Sequence, residues 1–225
     1  MNPAVNLVLV GPMGAGKTSI GRRLAERFGL AFVDLDQAIE AAAGARVAEL
    51  FEREGEAGFR EREARQLAQE LAGEDRLIAT GGGAVLAEPN RRRMRERAFV
   101  LHLAVSVEEQ LKRLANDRAR PLLRHPDREA VLRRLAEERA PLYAEVADLR
   151  FDTSGLAPGP GLRAAGAAAA RGLAAREGGM SAPAASRPAP ARGRTGPAPL
   201  SDPHRPRPAR ATRRCSPPRR PAAMC

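Results

Sequence analysis

The chain has 225 residues, of which 43% are hydrophobic but only 3% aromatic, so the core of one domain must be packed from Leu, Val, Ile and Ala. No apolar run reaches the about 18 residues that a membrane-spanning helix needs, which excludes a helical membrane protein. Cys215 and Cys225 both lie near the C-terminal end, which excludes a disulfide framework for the core, and no Cys/His metal spacing occurs. The net charge of +11 points at first to a polyanion partner. It is unevenly spread, however. Arg187, Arg192, Arg194, Arg205, Arg207, Arg210, Arg213, Arg214, Arg219 and Arg220 face the single acid Asp202, and the rest of the chain is close to neutral.

Residues 5–10 are apolar and run straight into Gly11. This reads as a first buried strand rather than a signal peptide, and it makes a cytoplasmic protein the expectation. Residues 17–28 have helical spacing, with Ile20, Leu24 and Phe28 on one face and Gly29 as a stop. A second strand over 31–33 ends at Asp34 and Asp36. Residues 36–72 read as mostly helical, broken near Gly44 and Gly55. A third strand over 77–79 is closed by Gly81, Gly82 and Gly83, and a fourth covers 98–103. Helices are expected over 107–114 and 128–145, then a last strand over 148–152. Strands alternating with helices predict an α/β fold with a parallel sheet covered on both faces, which places ligands beyond the strand C-terminal ends. Residues 161–175 could form a final helix, though Leu162 and Leu173 are its only large apolar residues. Beyond Gly178 the composition turns to Pro, Ala and Arg, which predicts a domain over 1–178 and a disordered tail over 179–225.

Residues 11–18, Gly11-Pro12-Met13-Gly14-Ala15-Gly16-Lys17-Thr18, fit the phosphate-loop pattern G-x-x-x-x-G-K-[ST] between a strand and a helix. Glycines let backbone N–H groups turn inward around a β-phosphate, and the positive end of the helix that starts at Lys17 faces the same anion. Lys17 suits the β- and γ-phosphates, and the Thr18 hydroxyl suits Mg²⁺. The pattern predicts nucleoside triphosphate binding and is silent about the second substrate.

Asp34 and Asp36 share a face if the backbone between them is extended, which would suit Mg²⁺-bound water and a hydroxyl. The alternative is a helix cap. Further along stand Gly58-Phe59-Arg60-Glu61-Arg62-Glu63, the Gly81–Gly83 run, Arg120-Pro121-Leu122-Leu123 and Arg139-Ala140-Pro141-Leu142-Tyr143. In order and spacing, this D-x-D, G-F-R-x-x-E, G-G-G, R-P-L-L and R-A-P-L-Y set resembles the shikimate kinases closely, from about residue 6 to about residue 158. The phosphate loop is shared by many families, whereas the set as a whole is specific to this one.

The resemblance implies a P-loop three-layer sandwich with about five parallel strands, a lid over about 115–127, and a monomer acting on ATP, with Mg²⁺, and shikimate. It implies nucleotide contacts at Gly14, Ala15, Gly16, Lys17, Thr18 and Ser19. Arg113 and Pro158 would flank adenine, although Arg113 could equally be a solvated charge on a helix face. Arg60 and Arg139 would hold the acceptor carboxylate, for which a planar guanidinium is suited. Asp36 would accept from ring hydroxyls, Gly82 would offer its N–H, and Glu63 would support the pocket. Asp34 would hold Mg²⁺ with Thr18 and take the hydroxyl proton. Lys17 and the lid residue Arg120 would neutralise charge on the transferred group. The third strand, Leu77-Ile78-Ala79-Thr80, lacks the Walker B acid of many P-loop enzymes, and in this family the D-x-D pair takes over the metal role.

Two other readings stand beside this one. The first is a P-loop kinase of another small hydroxy acid, such as gluconate. The second is a polyanion-binding protein driven by the basic tail. No aromatic stacking set or folded recognition motif accompanies the tail, so specific nucleic-acid recognition is not expected. A functionally idle tail, or one from a shifted reading frame, would fit its Arg-Pro-Ala monotony equally well.

Overall fold

The computed structural model describes residues 6–115, 127–156, 163–164 and 166–170. Its elements in chain order are β1 (Asn6–Val10), α1 (Lys17–Phe28), β2 (Ala31–Asp34), α2 (Leu35–Ala43), α3 (Val47–Ala72), β3 (Arg76–Ala79), α4 (Glu88–Arg97), β4 (Ala98–Ala104), α5 (Val107–Arg113), α6 (Arg128–Val146) and β5 (Leu149–Asp152). The strands form one parallel sheet in the order β2-β3-β1-β4-β5. The central strands β1 and β4 are buried along their whole length.

Side-chain alternation divides the interior into two layers. Val8, Val10, Ile78 and Val100 face Leu35, Leu50, Phe59, Met94 and Tyr143 from α2, α3, α4 and α6. Leu7, Leu9, Leu77 and Leu101 face Leu24 and Ala25 of α1, together with Ala169. The result is the expected three-layer α/β sandwich. The helical residues 166–170 lie on α1: Ala169 is fully buried, and a Cβ added at Gly166 would stand 3.2 Å from Leu24 Cδ2. Small side chains therefore let this segment dock although it lacks large apolar ones.

The structure adds one unexpected helix, bears out the breaks expected at Gly44 and Gly55, and decides between the two readings of Asp34 and Asp36. The helix α4 was not expected, because its Glu-Pro-Asn-Arg-Arg-Arg-Met-Arg-Glu-Arg sequence has almost no apolar period. It is held instead by buried Met94 and by buried Asn90, which donates to the Ala84 carbonyl at 3.0 Å, and by Arg91, which donates to the carbonyls of Val85 and Leu86. The stretch 36–72 is two helices, capped at Gly44 (φ 62°) and kinked at Gly55 (φ 68°). Asp36 lies in the first turn of α2 rather than in extended chain, so strand alternation does not put it on the face of Asp34. Asp34 is itself the N-cap of α2, accepting from Gln37 N at 3.4 Å.

Among the described residues no helix is long and apolar enough to cross a membrane. The expected lid, apart from its two end residues, and the whole tail over 179–225 lie outside the described residues.

Candidate active site

The phosphate loop leaves β1 through Gly11, whose φ of 144° and close approach to β4 admit no side chain: a Cβ there would stand 2.2 Å from the Leu103 carbonyl oxygen. Gly14 (φ 77°) and Gly16 (φ 87°) complete the turn. No side chain caps α1 at Gly16, so the helix presents its N-terminal backbone to the loop. Lys17 Nζ folds back to donate to the carbonyls of Gly11 (2.7 Å) and Pro12 (2.8 Å), across the hollow of the loop. Ala15 is buried within the loop, and Ser19 is exposed on the first turn of α1. Thr18 Oγ1 donates to Asp34 Oδ2 at 2.9 Å, which puts two hard oxygens beside the loop.

Arg113 is exposed but tied into the fold. Its Nη1 donates to the Gly14 carbonyl at 3.0 Å and its Nη2 to the Thr153 carbonyl at 2.6 Å, while Nε pairs with Glu109. It thereby ties the phosphate loop to the segment after β5. Pro158 and Arg120 lie outside the described residues.

The second half of the site gathers around the glycines that follow β3. A Cβ on Gly81 would stand 2.9 Å from Asp36 Oδ1 and 3.0 Å from Glu63 Oε1. One on Gly83 would fall 2.2 Å from Arg60 Nη2. One on Gly82 would lie 3.5 Å from Arg139 Nη1, 3.6 Å from the Gly11 carbonyl oxygen and 3.7 Å from Met13 N. The bare backbone thus lets residues from α2, α3 and α6 converge beside the phosphate loop. A groove lined by Pro12, Met13, Leu132 and Ala136 runs up to Arg139.

Charge in this region is tightly balanced. Glu63 is fully buried and receives Arg60 Nη1 at 2.7 Å, and Arg60 Nη2 also meets Glu56 at 3.1 Å. Burial pushes the Glu63 carboxyl above its ordinary value, against the opposing pull of Arg60. Burial works against the Arg60 charge too, but the Glu63 and Glu56 carboxylates together outweigh it and the guanidinium pKa rises. Arg139 is 8% exposed, and its Nε has no hydrogen-bond partner among the described residues. By contrast, Arg62 pairs with Glu54 on the surface, as expected of a solvated charge run.

Tyr143 and His102 carry no assignment in the sequence reading. Tyr143 Oη donates to the Gly82 carbonyl at 2.7 Å, and its ring stacks on His102 with centroids 4.8 Å apart. The spacing of Tyr143 four residues after Arg139 was the available signal. His102 gave none, since its neighbour is set by sheet and helix packing.

A family model described as shikimate kinase matches residues 13–169. The chain belongs to the shikimate kinase family. The shikimate kinase of Xanthomonas campestris pv. campestris (strain 8004) is 60% identical over 158 residues, covering 70% of this chain and 88% of that protein. That of Stenotrophomonas maltophilia (strain K279a) is 61% identical over 153 residues, covering 68% of this chain and 85% of that protein. Among solved structures, shikimate kinase from Acinetobacter baumannii in complex with shikimate superposes with a TM-score of 0.72 at 40% identity, covering 77% of this chain and 95% of that one. Membership of the shikimate kinase family makes the chain an ATP-dependent phosphotransferase. The family match ends within the docked helical segment 166–170.

Proposed function

We propose that the chain transfers the γ-phosphoryl group of ATP to the 3-hydroxyl of shikimate, giving ADP and shikimate 3-phosphate, a step toward chorismate and the aromatic amino acids. The observation that carries this reading is the convergence of Arg60, Arg139, Asp36 and Gly82 on one glycine strip that abuts the phosphate loop. Shikimate has one carboxylate and three hydroxyls, and two guanidiniums with one carboxylate answer that pattern. We assign Gly14, Ala15, Gly16, Lys17, Thr18, Ser19 and Arg113 to ATP, with Pro158 beside the adenine.

The oxygens of Thr18 and Asp34 suit Mg²⁺, which takes most of its other ligands from phosphate and water. When bound, the ion supplies neutralisation of charge on the β- and γ-phosphate oxygens. The chain's own residues do the rest. Lys17 gives up its loop carbonyls for phosphate oxygens. Arg60 and Arg139 hold the acceptor carboxylate, and Asp36 and the Gly82 N–H orient its hydroxyls. Asp34 takes the proton leaving the attacking hydroxyl. Arg120 neutralises the transferring oxygens, and water is kept from competing for the phosphoryl group. Positioning and electrostatics supply most of the acceleration. The enzyme acts as a cytoplasmic monomer, with residues 1–178 as the catalytic domain and the tail as an appendage.

ADP release with Mg²⁺ tests this, measured with shikimate, gluconate, a nucleoside monophosphate or no acceptor. Shikimate-dependent release is the expected result. Turnover only with another acceptor, or none from folded protein, would overturn it.

A further inference from the structure

Tyr143 is 3% exposed and stands one helical turn after Arg139 on α6. Its hydroxyl donates to the Gly82 carbonyl at 2.7 Å, and Arg139 Nη1 would stand 3.5 Å from a Cβ added at the same glycine. Its ring rests on His102 of β4, with an interplanar angle of 22°. The phenol therefore fixes the Gly82–Gly83 peptide, which adjoins the Gly82 N–H assigned to the acceptor, from the helix that also carries the buried Arg139 guanidinium. Backbone N–H groups of Ala84 and Leu86 hold the Gly81 and Gly83 carbonyls, and Tyr143 holds the Gly82 carbonyl between them. The Gly82 carbonyl fixed by Tyr143 defines the Gly82–Gly83 peptide, and Arg139 stands one turn before Tyr143 on the same helix.

We infer that Tyr143 is a positioning residue for the acceptor: it holds the Gly82–Gly83 peptide beside Arg139 in the arrangement that binds shikimate, without touching shikimate or ATP. The inference rests on the acceptor assignment above. His102 acts as the platform that keeps the phenol ring aimed at Gly82.

Tyr143→Phe keeps the ring and its stack but removes the donor, leaving the Gly82 carbonyl without it. We expect the KM for shikimate to rise about tenfold and the KM for ATP to stay within about twofold, at similar thermal stability. A purely structural role would lower stability and move both constants together, or neither. Equal shifts for both substrates, or an unchanged shikimate KM, overturn the inference while leaving the reaction intact. A parent enzyme with no shikimate-dependent turnover overturns the acceptor assignment and this inference with it.

A second readout needs no variant. The chain has one tyrosine and no tryptophan, so its intrinsic emission reports Tyr143 alone. Shikimate without nucleotide should change that emission saturably, and a non-hydrolysable ATP analogue should change it less. Unchanged emission at saturating shikimate overturns the inference even if Tyr143→Phe fails to fold.

Discussion

Thr18 Oγ1 and Asp34 Oδ2 meet at 2.9 Å, joining the first turn of α1 to the end of β2. The other carboxylate oxygen of Asp34 caps α2. One residue thus serves the phosphate side and fixes the start of the helix that carries Asp36. Asn caps helices as well as Asp does, but it cannot take a proton. Asp34→Asn is therefore expected to change stability by less than about 1 kcal/mol while lowering kcat by about 100-fold or more. Urea unfolding and initial rates at saturating ATP and shikimate measure the two effects, and near-parental kcat would remove Asp34 from the chemistry.

Arg139 is buried beside Gly82 and is assigned to the acceptor rather than to the nucleotide. A hydrogen-bonded charge is worth about 1.5–3 kcal/mol. Arg139→Ala should raise the shikimate KM by about tenfold to a hundredfold and leave the ATP KM nearly unchanged. Arg139→Lys should recover little, since an ammonium cannot make the bidentate contact. Parallel losses for both substrates would place Arg139 elsewhere in the mechanism.

Gly11 has a positive φ and sits against the β4 backbone, where neither neighbour can yield as a flexible side chain would. Strain at such a φ costs about 1–3 kcal/mol, and overpacking costs about as much again. Gly11→Ala should accordingly lower unfolding stability by about 2–5 kcal/mol, read from denaturant midpoints at constant slope. A change under about 1 kcal/mol would mean that the loop relaxes away from Leu103.

His102 is held neutral. Burial first, then the charges of Arg150 and Lys17, lower its pKa to about 4, against the opposing pull of Asp152. In the unfolded chain it titrates near about 6.5. Between those values the unfolded state binds a proton that the folded state refuses, so stability present above the unfolded pKa is lost as pH falls from about 6.5 to about 4. His102→Gln should flatten the fall over that window. Urea midpoints for both proteins across the window check this, and parallel curves would show that His102 does not contribute.

Ending the chain at Gly178 should leave shikimate-dependent turnover unchanged. It should also abolish retention on immobilised nucleic acid at low salt, which the full chain would show and lose as salt rises. Retention that persists after truncation would assign the basic surface to the domain instead.

The phosphate loop was legible because its meaning is local. Glycines at fixed offsets, a lysine and a hydroxyl at the start of a helix suffice to shape it, whatever the rest of the chain does. The alternating apolar runs were likewise enough for the parallel sheet, since burial on both faces leaves little choice of period. The helix α4 escaped because its stability rests on Asn90, Arg91 and Met94 meeting carbonyls and core residues far from any repeating pattern. The D-x-D pair stayed open between extended chain and a helix cap because such a pair at a strand end does not say where the strand stops, and the structure makes Asp34 the cap.

The order of acceptor motifs along the chain was enough, through the family they resemble, to name Arg60, Gly82 and Arg139 together. Tertiary structure alone decided how they are held. Glu63, buried by α3 packing, holds Arg60 in place, Arg113 reaches across the fold to Gly14 and Thr153, and Tyr143 reaches Gly82 from a ring stacked on His102. These contacts join residues about 40, 60 and 99 positions apart or sit in packing that no period encodes. A sequence records which side chains are available, but only the folded chain sets which buried polar groups must satisfy one another.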